Sequence, residues 1–184
     1  KIPFPLFLGG LGIRGSVVHK DFLQEFEQLT SLEKLKNYVA CQGQHWPDAI
    51  KLEQAGLKVY RAARFDSMLE MVERKRCDYL PLSIFEGKGE LDAVSDIHPE
   101  LVFSTKVLLH YKLEMIYYVK KANKALAADV LKGLTKMETS GQFLRYMREH
   151  RLTEQAFPLT QFKNSAIINI DGSKQGSIIK EFYR

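Results

Sequence analysis

Cysteine is scarce and scattered: Cys41 and Cys77 are the only two in 184 residues. They form no CxxC pair, so neither a zinc ribbon nor a thioredoxin-type redox site is available. Long apolar runs are missing as well. The longest nearly uncharged stretch, Ile2 to Ile13, contains two prolines and falls short of the roughly 20 residues that a membrane helix requires. With 12 Gly and 6 Pro, collagen-like and low-complexity chains are excluded, and 11% aromatic residues argue against disorder. The five histidines, His19, His45, His98, His110 and His150, have no H-x-x-x-H spacing, which removes a zincin-type metal site. There is no G-x-S-x-G elbow, and neither cysteine shares a recognisable local signature with a histidine. No nucleophile–base set speaks for an enzyme, and no cofactor or metal is assigned. A strong charge of one sign is lacking too. Lys plus Arg is 27 against 22 for Asp plus Glu, a net +5 that is spread along the chain without interleaved aromatics. A nucleic-acid partner is therefore not expected. The chain opens on Lys1, not Met, and is read as processed or partial, with any secretion signal out of view.

What is present is an ordinary globular balance of 45% hydrophobic and 27% charged residues. After an irregular Pro/Gly-rich start, Ser16 to His19 reads as a short strand. Asp21 is expected to cap a first helical turn and Ser31 a second. Tyr38 to Gln42 is a compact apolar run ending at Gly43, read as a buried strand. Trp46-Pro47-Asp48 has the form of a helix start, with proline at the first helical position and an acid facing the helix dipole; Gly56 ends that helix. Leu57 to Tyr60 is the next strand, Asp66 or Ser67 the next cap, and Asp78 to Leu82 another strand. This β-α-β-α-β alternation predicts a covered parallel sheet and an α/β class. A further strand pair is expected at Val102 to Leu109 and Met115 to Val119. Asn123 opens the most regular helix, interrupted at Gly141, and the tail carries a strand-like run from Ala166 to Ile170 before a polar Gly/Ser stretch.

Gly10-Leu11-Gly12-Ile13-Arg14-Gly15 matches G-x-G-x-x-G by letter. A dinucleotide site needs a strand before and a helix after these glycines; here prolines precede and a strand follows, so the segment reads as a crossing stretch of chain. The basic run Arg74-Lys75-Arg76 stands at a helix C-terminus, where the dipole favours cations in water. The segment Gln42 to Asp48 carries the most specific chemistry. A strand, a glycine and a helix start present backbone N–H groups to a ligand, with Gln44 and His45 as donors and Trp46 as a flat wall. The alternative is that Trp46 packs in the core and His45 is solvated.

The order of these elements resembles the type II periplasmic solute-binding proteins over roughly residues 12 to 150. The resemblance is carried by Ser31-Leu32-Glu33-Lys34-Leu35, the strand ending in Gln42-Gly43, Gly56-Leu57-Lys58-Val59, Phe65-Asp66-Ser67-Met68-Leu69, Arg76-Cys77-Asp78-Tyr79-Leu80, Met115 to Lys120, and Ser140-Gly141-Gln142-Phe143. Gly12-Ile13-Arg14, Gly43 to Asp48 and Leu108 to Tyr111 are similar to a branch described as transporter-type substrate-binding or sensory domains. The resemblance implies two α/β lobes joined by two crossing strands, with lobe one incomplete. Residues 1–15 would be the remnant of lobe one, 16–115 lobe two, and 116–184 the returning hinge strand and C-terminal helices of lobe one with the tail.

It further implies non-catalytic binding of a small polar or anionic solute in a cleft that closes on it, in the periplasm, for a membrane permease. A sensory domain signalling to a membrane receptor or kinase is the alternative, and an α/β enzyme a more distant one. Ligand-binding residues are expected to be Arg14 near the crossing, Gly43, Gln44, His45 and Trp46 from lobe two, Ser83 at the end of a neighbouring strand, and Glu86. Ser83 falls where amino-acid binders carry the acid that holds the α-amino group. Residues 116–184 should expose apolar faces that a complete lobe would cover. Cys41 and Cys77 are expected to stay unjoined, because in-register parallel strands put them about three residues, or roughly 10 Å, apart along the sheet.

Overall fold

The computed structural model describes residues 1–173 and 177–183; residues 174–176 of the polar Gly/Ser stretch, and Arg184, lie outside them. The elements are β1 (Ile13–His19), α1 (Lys20–Phe26), α2 (Leu32–Leu35), β2 (Val39–Gly43), α3 (Pro47–Gln54), β3 (Lys58–Ala62), α4 (Phe65–Glu73), β4 (Tyr79–Ser83), α5 (Gly87–Asp92), β5 (Leu101–His110), α6 (Lys124–Thr139), α7 (Gln142–Glu149) and β6 (Ala166–Asn169). The strands form one mixed sheet in the order β3-β2-β4-β1-β5-β6. β2 is parallel to both β3 and β4, β5 is parallel to β6, and β1 runs antiparallel between β4 and β5. The β-α-β-α-β alternation thus yields the parallel half expected of it. The pairing of β6 with β5 joins residues about sixty positions apart and has no counterpart in the local pattern.

Alternation along each strand assigns side chains to two faces. Val18, Ala40, Tyr79 and Leu109 meet Phe26, Leu35 and Leu52 on one face. Val17, Cys41 and Leu80 meet Met68, Leu69 and Val72 of α4 on the other. β1 is buried along its whole length, as a central strand must be. A third apolar cluster lies at one end of the sheet, where Ile13, Ile84 and Leu108 pack with Ile2, Phe4, Phe143, Met147 and Phe182.

Several local expectations hold. Ser31 Oγ accepts from Lys34 N and Asn123 Oδ1 accepts from Leu126 N, so both cap their helices. Others shift. His19, not Asp21, caps α1, through Nδ1 accepting from Asp21 N, and α4 starts one residue after Arg64, ahead of both Asp66 and Ser67. Met115 to Val119 does not form a ladder strand. It runs extended beside the N-terminal segment, with Leu6 N donating to Met115 O and Ile2 N to Tyr117 O, both at 2.8 Å. Gly12 belongs to this crossing. A Cβ there would lie 1.8 Å from the Tyr111 carbonyl oxygen, so close backbone approach, not a phosphate, accounts for that glycine. Apolar exposure over 116–184 is also present: α6 has no buried residue, and Tyr117, Tyr118, Leu126, Tyr146 and Leu152 are exposed.

The cysteine expectation is corrected. Cys41 and Cys77 are joined, with S–S 2.00 Å and Cα–Cα 5.6 Å, within the usual window for a bridge. The register itself is as anticipated, with Ala40 opposite Tyr79. The error lay in extending β4 straight back from Tyr79. Residues 76–78 bend instead, and Cys77 N donates to Met71 O at the end of α4. Cys77 is thereby carried over the sheet face onto which Cys41 points, and both sit in one apolar cluster. Closing a loop of sequence separation 36 restricts the unfolded chain by about 3–4 kcal/mol in the chain-entropy picture. Replacing both cysteines by alanine should lower the urea-unfolding free energy by that amount, and the folded wild type should show no titratable thiol. An unchanged urea midpoint would contradict the bridge.

Candidate functional site

Because β1 opposes its neighbours, its N-terminal end meets the C-terminal ends of β4 and β5: Arg14 pairs with Ser83, and Ile13 with His110. The loops leaving β2, β4 and β5 therefore emerge together at the sheet edge where open α/β sheets hold ligands. After β2, the chain turns at Gly43, whose carbonyl accepts from Trp46 N at 3.0 Å. Gly43 lies directly beneath the indole: a Cβ there would sit 2.6 Å from its ring atoms. Pro47 then starts α3 and places Asp48 in its first turn. After β4, Phe85 N donates to Ser83 Oγ and Glu86 N to Ser83 O, a tight turn that delivers Glu86 to the N-cap of α5.

Asp48 is 5% and Arg14 6% exposed, so neither charge is solvated. Each is satisfied by the other and by Tyr111. Arg14 Nη2 lies 2.6 Å from Asp48 Oδ1, Arg14 Nε donates to Tyr111 Oη at 3.2 Å, and Tyr111 Oη donates to Asp48 Oδ1 at 2.5 Å. Burial alone would push the guanidinium down, but Tyr111 and Asp48 outweigh it and hold Arg14 above its ordinary value. Burial drives the Tyr111 phenol far up, so it stays a proton donor to Asp48. The three residues tie β1, α3 and the start of the crossing segment into one unit.

In front of this unit opens a cavity of about 640 Å³. Trp46, Phe65, Leu82 and Leu11 give it apolar walls, Arg14 and Asp48 its base, and Glu86, Glu90 and Glu114 its acidic groups, with Leu113 and Met115 of the crossing segment closing one side. The Trp46 and Phe65 rings stack on each other, centroids 6.4 Å apart at 29°. Burial pushes the Glu86 carboxyl up; Arg14 pulls it down, while Glu90 and Asp48 push it further up.

Of the residues expected from sequence, Arg14, Trp46 and Glu86 line this cavity. Gly43 is buried under the indole, and Ser83 is buried in the β4 turn. Gln44 and His45 are exposed and do not line it. Sequence reasoning passed over Asp48 as a dipole acid and did not reach Tyr111, Phe65 or Glu90 as site groups. Only the Trp-Pro-Asp helix start signalled that Asp48 would be oriented; nothing local links it to Tyr111, 63 positions away. Among the described residues, no group of three or more His, Cys, Asp or Glu could hold a metal ion, and no helix is long and apolar enough to cross a membrane.

The buried triad makes a graded prediction. Tyr111→Phe removes one hydroxyl and should cost about 1–2 kcal/mol. Asp48→Asn leaves Arg14 buried without a counter-charge and should cost about 3–5 kcal/mol. Urea unfolding of the two variants checks the order; equal or reversed losses would mean that the ion pair is not desolvated.

Comparison with family profiles and with curated proteins finds no match. Comparison with solved structures does. A periplasmic His/Glu/Gln/Arg/opine family-binding protein from Silicibacter pomeroyi, in complex with lysine, superposes with a TM-score of 0.50 at 14% identity, over 79% of this chain and 60% of that one. An arginine-binding protein from T. maritima gives 0.46 at 21% identity, over 76% and 58%. An ancestral arginine-binding protein bound to glutamine gives 0.47 at 18%, over 74% and 58%. The chain has the fold of the type II periplasmic binding proteins, and it spans about three fifths of the length of these neighbours, in keeping with an incomplete first lobe.

Proposed function

We propose that this chain, with its type II periplasmic-binding-protein fold, binds a small polar solute without chemical change in the cleft beside Trp46 and delivers it to a membrane permease. The observation that carries the reading is the cavity itself. An exposed indole, a buried arginine unit and two carboxylates of one helix start converge at the carboxyl ends of the strands, the usual location for ligands in such sheets. In this reading Trp46 stacks on the solute, and Arg14 and Glu86 supply polar contacts. Gly43 and Ser83 hold the Trp46 and Glu86 loops in place, and Gln44 and His45 stand at the rim. Residues 16–115 with β6 act as the solute-holding lobe; residues 1–15 and 116–184 contribute the crossing segments and the other lobe. The neighbours, all named as binding proteins, support solute binding over catalysis. The Cys41–Cys77 bridge supports an oxidising, extracytoplasmic compartment.

Trp46 is the only tryptophan, so its fluorescence reports on the cleft. A solute that shifts this emission should also stabilise the protein, by about 2.7 kcal/mol at a hundred times Kd. Trp46→Ala should abolish that stabilisation when each protein is compared with its own unliganded baseline, which the variant lowers because the indole packs on Gly43 and Phe65. Calorimetric binding that survives Trp46→Ala would move the site elsewhere.

A further inference from the structure

Resting on the solute-binding reading above, we infer that the cleft selects an organic cation, an amine or guanidine on an apolar stem, and disfavours the same stem carrying a carboxylate. The inference comes from a census of charge around an aromatic wall. Among the described residues Arg14 is the only basic one lining the cavity, whereas Asp48, Glu86, Glu90 and Glu114 line it from the acidic side. Arg14 is not free to neutralise a ligand anion, because Asp48 and Tyr111 already hold it at 2.6 and 3.2 Å. Basic residues nearby are engaged as well. Lys88 of α5 pairs with Asp92 at 2.8 Å, Arg64 beside Phe65 pairs with Asp66 at 3.0 Å, and Lys112 meets Glu114 at 3.4 Å.

Glu86 and Glu90 therefore dominate the field in the cavity, and they sit one helical turn apart at the start of α5, facing the same side. The Trp46 and Phe65 rings, stacked on each other and lining the same cavity, present π-density, which attracts a cation and repels an anion. An ammonium or guanidinium entering the cavity gains charge-assisted hydrogen bonds from carboxylates and a stacking face for its stem. A carboxylate on the same molecule would meet Glu86 and Glu90, with Glu114 paired to Lys112 and Arg14 neutralised by Asp48. A small anionic solute, which the family resemblance allows, is disfavoured for the same reason.

The test uses matched pairs that differ by one carboxylate: agmatine against arginine, and cadaverine against lysine, with glutarate as the anion. Binding is followed by Trp46 emission and by calorimetry at low and high salt. The expected result is that each decarboxylated member binds at least about tenfold tighter than its amino acid, the scale of one unscreened charge contact, with affinity falling as salt rises. Glu90→Gln, an exposed position, should weaken agmatine about threefold to tenfold while leaving unliganded stability unchanged. Equal or tighter binding of arginine, lysine or glutarate would overturn the cation inference and leave the solute-binding reading in place. So would agmatine affinity indifferent to Glu90→Gln. A cleft in which neither these probes nor a broad panel of neutral solutes perturbs Trp46 would overturn both.

Discussion

A guanidinium withdrawn from water must be given back an anion and hydrogen-bond acceptors, or the surrounding structure bears several kcal/mol of desolvation. Arg14 finds both in Asp48 and Tyr111, and those partners come from parts of the chain that have no local reason to meet. Asp48 is brought by α3, Tyr111 by the end of β5, and Arg14 by the central antiparallel strand. The requirement that this small network close explains several features around it: why α3 starts on a proline that fixes the position of Asp48, and why Gly12 lets the Tyr111 backbone approach closely. Arg14 and Asp48 of this network form the base of the cavity.

The same network sets the chemistry in front of it. An arginine held by a carboxylate and a phenol offers little net charge, and so the remaining carboxylates determine the sign of the cavity. Here the tertiary arrangement reverses what composition alone leads one to expect. The chain is basic overall, yet several of its basic side chains pair with acids on the surface, while Glu86 and Glu90 stand together at the start of α5. The aromatic wall adds an apolar surface whose electrostatics favour the same ligand sign.

The disulfide shows where a one-dimensional argument loses its grip. Strand identity, strand neighbours and register were all legible, and Ala40 does oppose Tyr79. Three residues of bend before β4 were enough to convert a separation along the sheet into an approach over its face. Register describes residues inside a ladder; it says nothing about the path of the chain just outside it.

The sequence by itself determined the elements that rest on short-range physics. A compact apolar run ending at Gly43 marked β2, the short strand-like segments after Gly56 and from Asp78 marked β3 and β4, the Trp-Pro-Asp start marked α3, and Ser31 and Asn123 capped their helices because capping involves neighbours three positions away. It also singled out Arg14, Trp46 and Glu86, which the fold brings to one cavity. Only the tertiary structure decided the rest: the addition of β6 to the sheet, the joining of Cys41 to Cys77, the engagement of Arg14 by Asp48 and Tyr111, and the company of Phe65 and Glu90 in the cavity. These depend on contacts between residues tens of positions apart, whose geometry is set by how strands are ordered and helices are laid across them. No periodicity within a single segment encodes that ordering.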